Sequence, residues 1–289
     1  MADNTARDRK IDAAHALQCM EIWGGSAAAE RSVSTPGLDL WIWSRPYRQA
    51  AGGGDVHYVS LCGGGLITRL ILADVSGHGA SVADLARSLR DLMRRNINSK
   101  SQSRLVRDLN RQFTELARLS RFATAVVATY LTSRDQLTIC NAGHPRPLWF
   151  RAAAGEWSFV DVDDRGRRKA LTNLPLGVDD STIYPQATLN LEPGDVILIY
   201  TDALTESSGV SGEMLGEQGL LELVRAMDLS DPKAMAQSLV ERLDEYRGGR
   251  QADDDSTFLL LHHTAGNPRR LSVRQKLAVY AKVFHLKSV

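Results

Sequence analysis

Cysteine is scarce in this sequence, and the three that occur, Cys19, Cys62 and Cys140, lie far apart. Such spacing makes neither a disulfide framework nor a zinc cluster. Long apolar runs are missing as well. Segments such as Ala123–Ala128 and Val196–Tyr200 fall far short of the ~20 residues that a bilayer-spanning helix needs. The N-terminus, MADNTARDRK, is charged and has no apolar h-region, which speaks against a signal peptide. No sign of charge dominates: 35 Lys and Arg stand against 34 Asp and Glu, so nothing draws the chain as a whole to nucleic acid. The aromatic–basic interleaving of a single-strand platform is absent too. What remains is a globular composition, 43% hydrophobic and 24% charged, with enough apolar material for a sizeable core and no mark of disorder. A soluble cytoplasmic protein is the expectation.

Secondary structure is legible from texture and spacing. Ile11–Glu30 mixes helix formers with the break Gly24-Gly25, and is expected to form a short helix followed by a turn. Leu38–Trp43, Val56–Leu61 and Ile67–Ala73 are short, apolar and separated by glycine clusters, as strands are. Val82, Leu85, Leu89 and Leu92, then Leu105, Leu109, Phe113 and Leu116, recur at steps of three and four and predict two helices with one buried stripe each. Strands are expected again at Phe122–Leu131, Gln136–Asn141, Leu148–Phe150, Ala187–Leu191, Val196–Thr201 and Thr257–His262. Helices are expected at Leu220–Met227 and Ala234–Tyr246, and a loop at Asp161–Lys169. Hairpin-length connections dominate, so the class is α+β with antiparallel sheets. No internal repeat or linker divides the chain. The expected organisation is an N-terminal segment, 1–36, with its short helix, one domain over 37–264, and a tail over 265–289. Residues 1–36 are too few for a sensor domain of ~50 residues or more.

The tail holds Arg269, Arg270, Arg274, Lys276, Lys282 and Lys287, and no acid follows Arg269. Val273, Leu277, Tyr280 and Phe284 fall on one helical face. A basic amphipathic helix of this kind can lie on a membrane surface or meet a partner. With no second membrane signal, packing on its own domain or in a dimer is the expected role.

Four segments place an aspartate where a strand gives way to a glycine or polar turn: Gly53-Gly54-Asp55, Ala73-Asp74-Val75-Ser76-Gly77-His78-Gly79, Tyr200-Thr201-Asp202-Ala203 and Asp253-Asp254-Asp255-Ser256-Thr257. An aspartate in a turn is usually a turn former or a helix cap. Four such segments, three of them joined directly to an apolar strand, are another matter. If those ends converge, carboxylates share one small volume, which is unfavourable without a cation, and all-oxygen ligands suit magnesium or manganese.

The motifs GGD at Gly53–Asp55, ADVSGHG at Ala73–Gly79, FATAVVATY at Phe122–Tyr130, NAGHPRPL at Asn141–Leu148, LPLGV at Leu174–Val178, LEPGDVILIYTDALTE at Leu191–Glu206 and DDST at Asp254–Thr257 occur in one order over most of the chain. As a set they are specific, although each alone is weak. With them the sequence resembles the metal-dependent protein phosphatases of the protein phosphatase 2C type, in the bacterial sporulation and stress-response branch. The resemblance implies two antiparallel sheets packed as a sandwich flanked by helices, with two ions, Mn²⁺ or Mg²⁺, at one end between the sheets. Carried over by motif, Asp74 would bridge both ions and the Val75 carbonyl would bind one. Asp202 and Asp254 would complete the other, and Asp55 would ligate directly or through water. Water activated by the two ions would hydrolyse a phosphoserine or phosphothreonine monoester, with no protein nucleophile. His78 would protonate the leaving group, or the segment around it is only a tight helix entry. The implied substrate is a phosphoprotein, in particular a phosphorylated anti-sigma-factor antagonist.

Two departures bear on this. Asp202 is usually followed by glycine in the family, and here Ala203 follows. The GGD motif often continues to a second acid three residues on, where this chain has Tyr58. Both would suit a phosphatase-like binding module without turnover. A coincidence adds a rival chemistry: Cys140 and Arg146 satisfy the C-x5-R spacing of cysteine-dependent phosphatases. That mechanism needs a thiolate and a helix beginning after the arginine, whereas Pro147-Leu148-Trp149-Phe150 reads as extended. Pro193-Gly194-Asp195 is expected to be a turn that opens a strand, and His144 to be structural.

Overall fold

The structure, a computed structural model, describes residues 15–16, 22–62, 65–77, 80–96, 99, 101–117, 121–161 and 172–264. Within them the strands are β1 (His15–Ala16), β2 (Ile22–Gly25), β3 (Ala29–Thr35), β4 (Leu38–Arg45), β5 (Asp55–Cys62) and β6 (Ile67–Val75). Helices α1 (Ala80–Asn96) and α2 (Gln102–Leu116) follow. Next come β7 (Ala123–Leu131), β8 (Gln136–Ala142), β9 (Leu148–Arg151), β10 (Glu156–Phe159), β11 (Gln186–Asn190) and β12 (Val196–Tyr200). Helices α3 (Gly216–Arg225) and α4 (Pro232–Tyr246) precede the closing strand β13 (Ser256–His263). One sheet has the order β1-β3-β4-β13-β12-β9-β10, the other β11-β8-β7-β6-β5-β2. All pairings between these strands are antiparallel except the two-residue contact of β1 with β3. The α+β sandwich expected from the sequence is therefore the fold observed.

Period-two alternation sorts the strand side chains into layers. Leu40, Ile42, Leu70, Leu72, Val126, Ile197, Ile199, Leu259 and Leu261 meet between the sheets. The opposite faces point to helices. Tyr58, Ile71, Ala73, Val127 and Cys140 pack with α1 and α2, while Trp43, Leu198, Tyr200, Phe258 and Leu260 pack with α3 and α4. The result is four layers, helix–sheet–sheet–helix. Helix starts follow their capping chemistry: Ser101 caps α2, and Asp231 caps α4 ahead of Pro232, with its carboxylate taking the Lys233 and Ala234 amides.

Two expectations are corrected. The described residues of Ile11–Glu30 form strands, and Gly24-Gly25 lies inside β2, paired with Tyr58 and His57 of β5. Gly24 is there for closeness: a Cβ on it would stand 2.5 Å from the His57 carbonyl oxygen. The sheets thus begin before residue 37, since β3 runs beside β4 over its whole length. The stripe of α2 also ends early, because Leu116 is exposed while Leu105, Leu109 and Phe113 are buried. Most of the charged loop at Asp161–Lys169 and the whole 265–289 tail lie outside the described residues. Among the described residues no helix is long and apolar enough to cross a membrane.

The layer between the sheets carries the stability. Leu72→Ala, at a position with no exposed surface, is expected to lower the unfolding free energy by about 3 kcal/mol. Val210→Ala, at 78% exposure, should change it by less than about 0.5 kcal/mol. Urea denaturation of the two variants checks the contrast.

Candidate functional site

Four strand ends meet at one end of the sandwich: the start of β5, the end of β6, the end of β12 and the start of β13. Asp55 and Asp74 are directly opposed in the β5–β6 register. Both fall in the alternation of the inward-facing residues, so their carboxylates enter the space between the sheets. Asp202 opens a 3-10 turn, Asp202–Leu204, just beyond β12. Asp254 and Asp255 immediately precede β13.

The packing explains the glycines. A Cβ on Gly53 would lie 2.2 Å from Asp255 Oδ2, and one on Gly54 would lie 2.8 Å from the Val75 carbonyl oxygen and 3.3 Å from Asp74 Oδ1. Only glycine lets this loop pass so close to a carboxylate and a carbonyl. Gly77 takes a φ of +105°, and a Cβ on it would come 3.2 Å from Arg121 Nη1, so the turn after Asp74 also requires glycine. The turn is pinned to the start of β7 by Ser76 N donating to the Phe122 carbonyl at 2.9 Å and Phe122 N donating to Ser76 Oγ at 3.0 Å.

Electrostatics record the convergence. Asp55 is 3% exposed, and burial, then the nearby Asp74, push its carboxyl well above the usual range. Thr201 Oγ1 donates to Asp55 Oδ2 at 3.0 Å, and hydrogen bonding from the Thr257 and Thr201 hydroxyls pulls the other way without cancelling the rise. Burial raises Asp74 to about 7, helped by the charges of Asp202, Asp254, Asp255 and Glu206. Asp202 is raised by burial, then by Glu206 and Asp254. Carboxylates that shift one another in this way share one electrostatic volume. Among the described residues no three or more His, Cys, Asp or Glu side chains stand close enough together to hold a metal ion. The donors nonetheless fit a hard cation in kind: they are carboxylates plus the Val75 carbonyl, which faces the Gly54 cradle.

Of the residues expected from sequence, Asp55, Asp74, Val75, Asp202 and Asp254 are brought to this end of the sandwich. His78 lies outside the described residues. Two acids were not singled out by sequence. Asp255 accepts the Tyr47 and Gly54 amides. Glu206 follows Asp202 by one helical turn, with its amide on the Asp202 carbonyl at 2.7 Å, a spacing of four that was open to reading.

The departures lose their force. Ala203 is not among the residues with positive φ, so its turn has no need of glycine. Tyr58 points to the α1–α2 layer, away from the carboxylates. Cys140 faces the same helix layer, and burial pushes its thiol up to about 12. After Arg146, which pairs with Glu217 and Asp161, the chain enters β9, not a helix. The requirements of a cysteine nucleophile are absent. Asp195 accepts from Trp149 Nε1, the Ala152 amide and the Glu192 amide, the scaffold role expected of it. His144 bonds Thr124 through Nδ1 at 2.8 Å, and burial lowers it to about 3, so it stays neutral.

The family model described as stage II sporulation protein E (SpoIIE) matches residues 67–264. Phosphoserine phosphatase RsbU of Bacillus subtilis is 25% identical over 226 residues, covering 78% of this chain and 63% of that protein. Phosphoserine phosphatase RsbP of the same organism is 24% identical over 199 residues, covering 66% and 45%. The chain therefore spans between about half and two thirds of the length of these curated relatives. The crystal structure of the RsbU and RsbW domains of Rv1364c from Mycobacterium tuberculosis superposes with a TM-score of 0.67 at 23% identity, over 90% of this chain and 71% of that one, which shows the fold.

The raised carboxylates set a pH dependence. In the unfolded chain Asp74 titrates near 3.8, and in the folded protein near 7. Between those values the folded state keeps a proton the unfolded state has lost, so stability present at pH 4 falls as pH rises through 7. In EDTA the wild type should melt at lower temperature at pH 8 than at pH 5. Asp74→Asn should flatten that slope and raise the pH 8 melting temperature. An unchanged slope in thermal scans would contradict the placement.

Proposed function

The chain belongs to the stage II sporulation protein E (SpoIIE) family, and on that footing we propose that it is a metal-dependent phosphatase acting on phosphoserine or phosphothreonine in a protein substrate. The observation that carries this is the convergence of Asp55, Asp74, Asp202 and Asp254 from four strand ends into one volume, where burial and neighbouring acids raise the first three. Two divalent ions, Mn²⁺ or Mg²⁺, would neutralise the phosphate dianion there and activate the attacking water. Asp74 and the Val75 carbonyl are the donors on the β6 side, Asp202 and Asp254 those on the side of the other sheet, and Asp55 stands opposite Asp74.

The remaining residues hold these donors still. Thr201 fixes one oxygen of Asp55, the glycines of the Gly53-Gly54 and Gly77 turns admit close approach, and the inter-sheet core anchors every strand end. Preorganised ligands of this kind cost no rearrangement when the dianionic ester arrives. His78 is assigned no step. The substrate proposed within this class is a phosphorylated anti-sigma-factor antagonist, which the motif resemblance implies, and the two phosphoserine phosphatases that the chain resembles support the phosphoserine. The alternative of a binding module without turnover rested on Ala203 and Tyr58, and neither removes a group the site uses.

Hydrolysis of p-nitrophenyl phosphate tests the reading. Activity should require Mn²⁺ or Mg²⁺, vanish in EDTA, fall to background in Asp74→Asn and survive in Cys140→Ser. Activity that ignores EDTA but needs Cys140 would overturn the mechanism. No turnover with either ion would favour the binding module.

A further inference from the structure

Asp255 is the residue whose position the metal-ligand reading leaves unexplained. Its Oδ1 accepts the Tyr47 amide and its Oδ2 accepts the Gly54 amide, both at 2.6 Å. Tyr47 follows β4 in one sheet and Gly54 precedes β5 in the other, so one carboxylate ties the two sheets together at the end where the aspartates meet. The loop it holds is shaped around it, since a Cβ on Gly53 would overlap its carboxylate. The turn on the other side, Tyr47–Gln49, keeps Arg48 at φ 50° and Gln49 at φ 56°. Non-glycine residues remain in that region only where their surroundings hold them.

We propose that Asp255 is a positioning residue of the metal centre: it does not ligate, but sets the Gly53-Gly54-Asp55 loop so that Asp55 faces Asp74 at the distance a shared pair of cations requires. Both of its oxygens take amides of distant turns, whereas Asp254 Oδ1 takes the amide of its neighbour Asp255, and Asp254 is the ligand of the Asp253-Asp254-Asp255 run. This rests on the phosphatase reading above and deepens it. Outer residues that orient ligands are worth roughly 10- to 100-fold in metal affinity.

Calorimetric titration of the whole chain with Mn²⁺, paired with melting in EDTA, tests the role. Asp255→Asn keeps the shape but can accept at only one oxygen, and Gly53→Ala displaces the same carboxylate from the other side. Both should weaken Mn²⁺ binding by roughly 10- to 100-fold, and Asp255→Asn should leave the EDTA melting temperature near that of the wild type, because one negative charge beside Asp55 and Asp74 is removed. A residue that merely ties the sheets would do the reverse, lowering the EDTA melting temperature with affinity unchanged, and that result overturns the role alone. If the wild type itself binds no Mn²⁺, the phosphatase reading fails first and this role falls with it.

Discussion

Asp55 and Asp74 face each other across adjacent strands at the end of a sandwich, Asp55 buried and Asp74 partly so. Two carboxylates so placed cannot both ionise at low cost, and the Thr257 and Thr201 hydroxyls offset only part of that cost at Asp55. The strain must be met by protons or by a cation. Much of the surrounding architecture maintains it. Antiparallel register sets the two acids opposite each other, and the apolar layer between the sheets keeps the register from slipping, because a shift of one residue would turn every inward side chain outward. Glycines at 53 and 54 let their turn come within contact of Asp255 and Asp74, and Gly77 lets the turn after Asp74 take its positive φ.

Layering also divides the labour of the chain. Side chains that face the other sheet either pack or, at one end, carry charge. Those that face the helices mostly pack, with Arg69 and Thr129 bonding to Ser99 and Gln102 of the helix layer. This accounts for two residues that read ambiguously in one dimension. Tyr58, three positions after Asp55, belongs to the helix face by alternation, so an acid there would have pointed away from Asp74. Cys140 belongs to the same face, where burial keeps it a thiol. A tertiary placement, and not the local motif, separates a reactive group from a packing one.

Much of this was legible beforehand. The aspartates at strand ends could be found because apolar strands announce their ends, and the order of the motifs carried the resemblance. The helices of the first pair were legible from spacing, although Leu116 shows that the last position of a stripe depends on what lies opposite. The N-terminal strands were not legible: Ile22-Trp23-Gly24-Gly25 has the look of a turn, and its glycine is needed for contact with β5, which no local pattern records. Nor could composition choose among Asp253, Asp254 and Asp255. Three equal acids in a row are told apart by the backbone amides they meet, and the two amides on Asp255 come from residues more than 200 positions away in sequence.

The central claim is that the end of the sandwich is a site for two divalent cations held by Asp55, Asp74, Val75, Asp202 and Asp254. Anomalous diffraction from crystals grown with Mn²⁺ tests it most directly. The account predicts two manganese peaks between the sheets, at the end where Asp55, Asp74, Val75, Asp202 and Asp254 would hold them. An empty space between those carboxylates, with manganese bound elsewhere or nowhere, would contradict it.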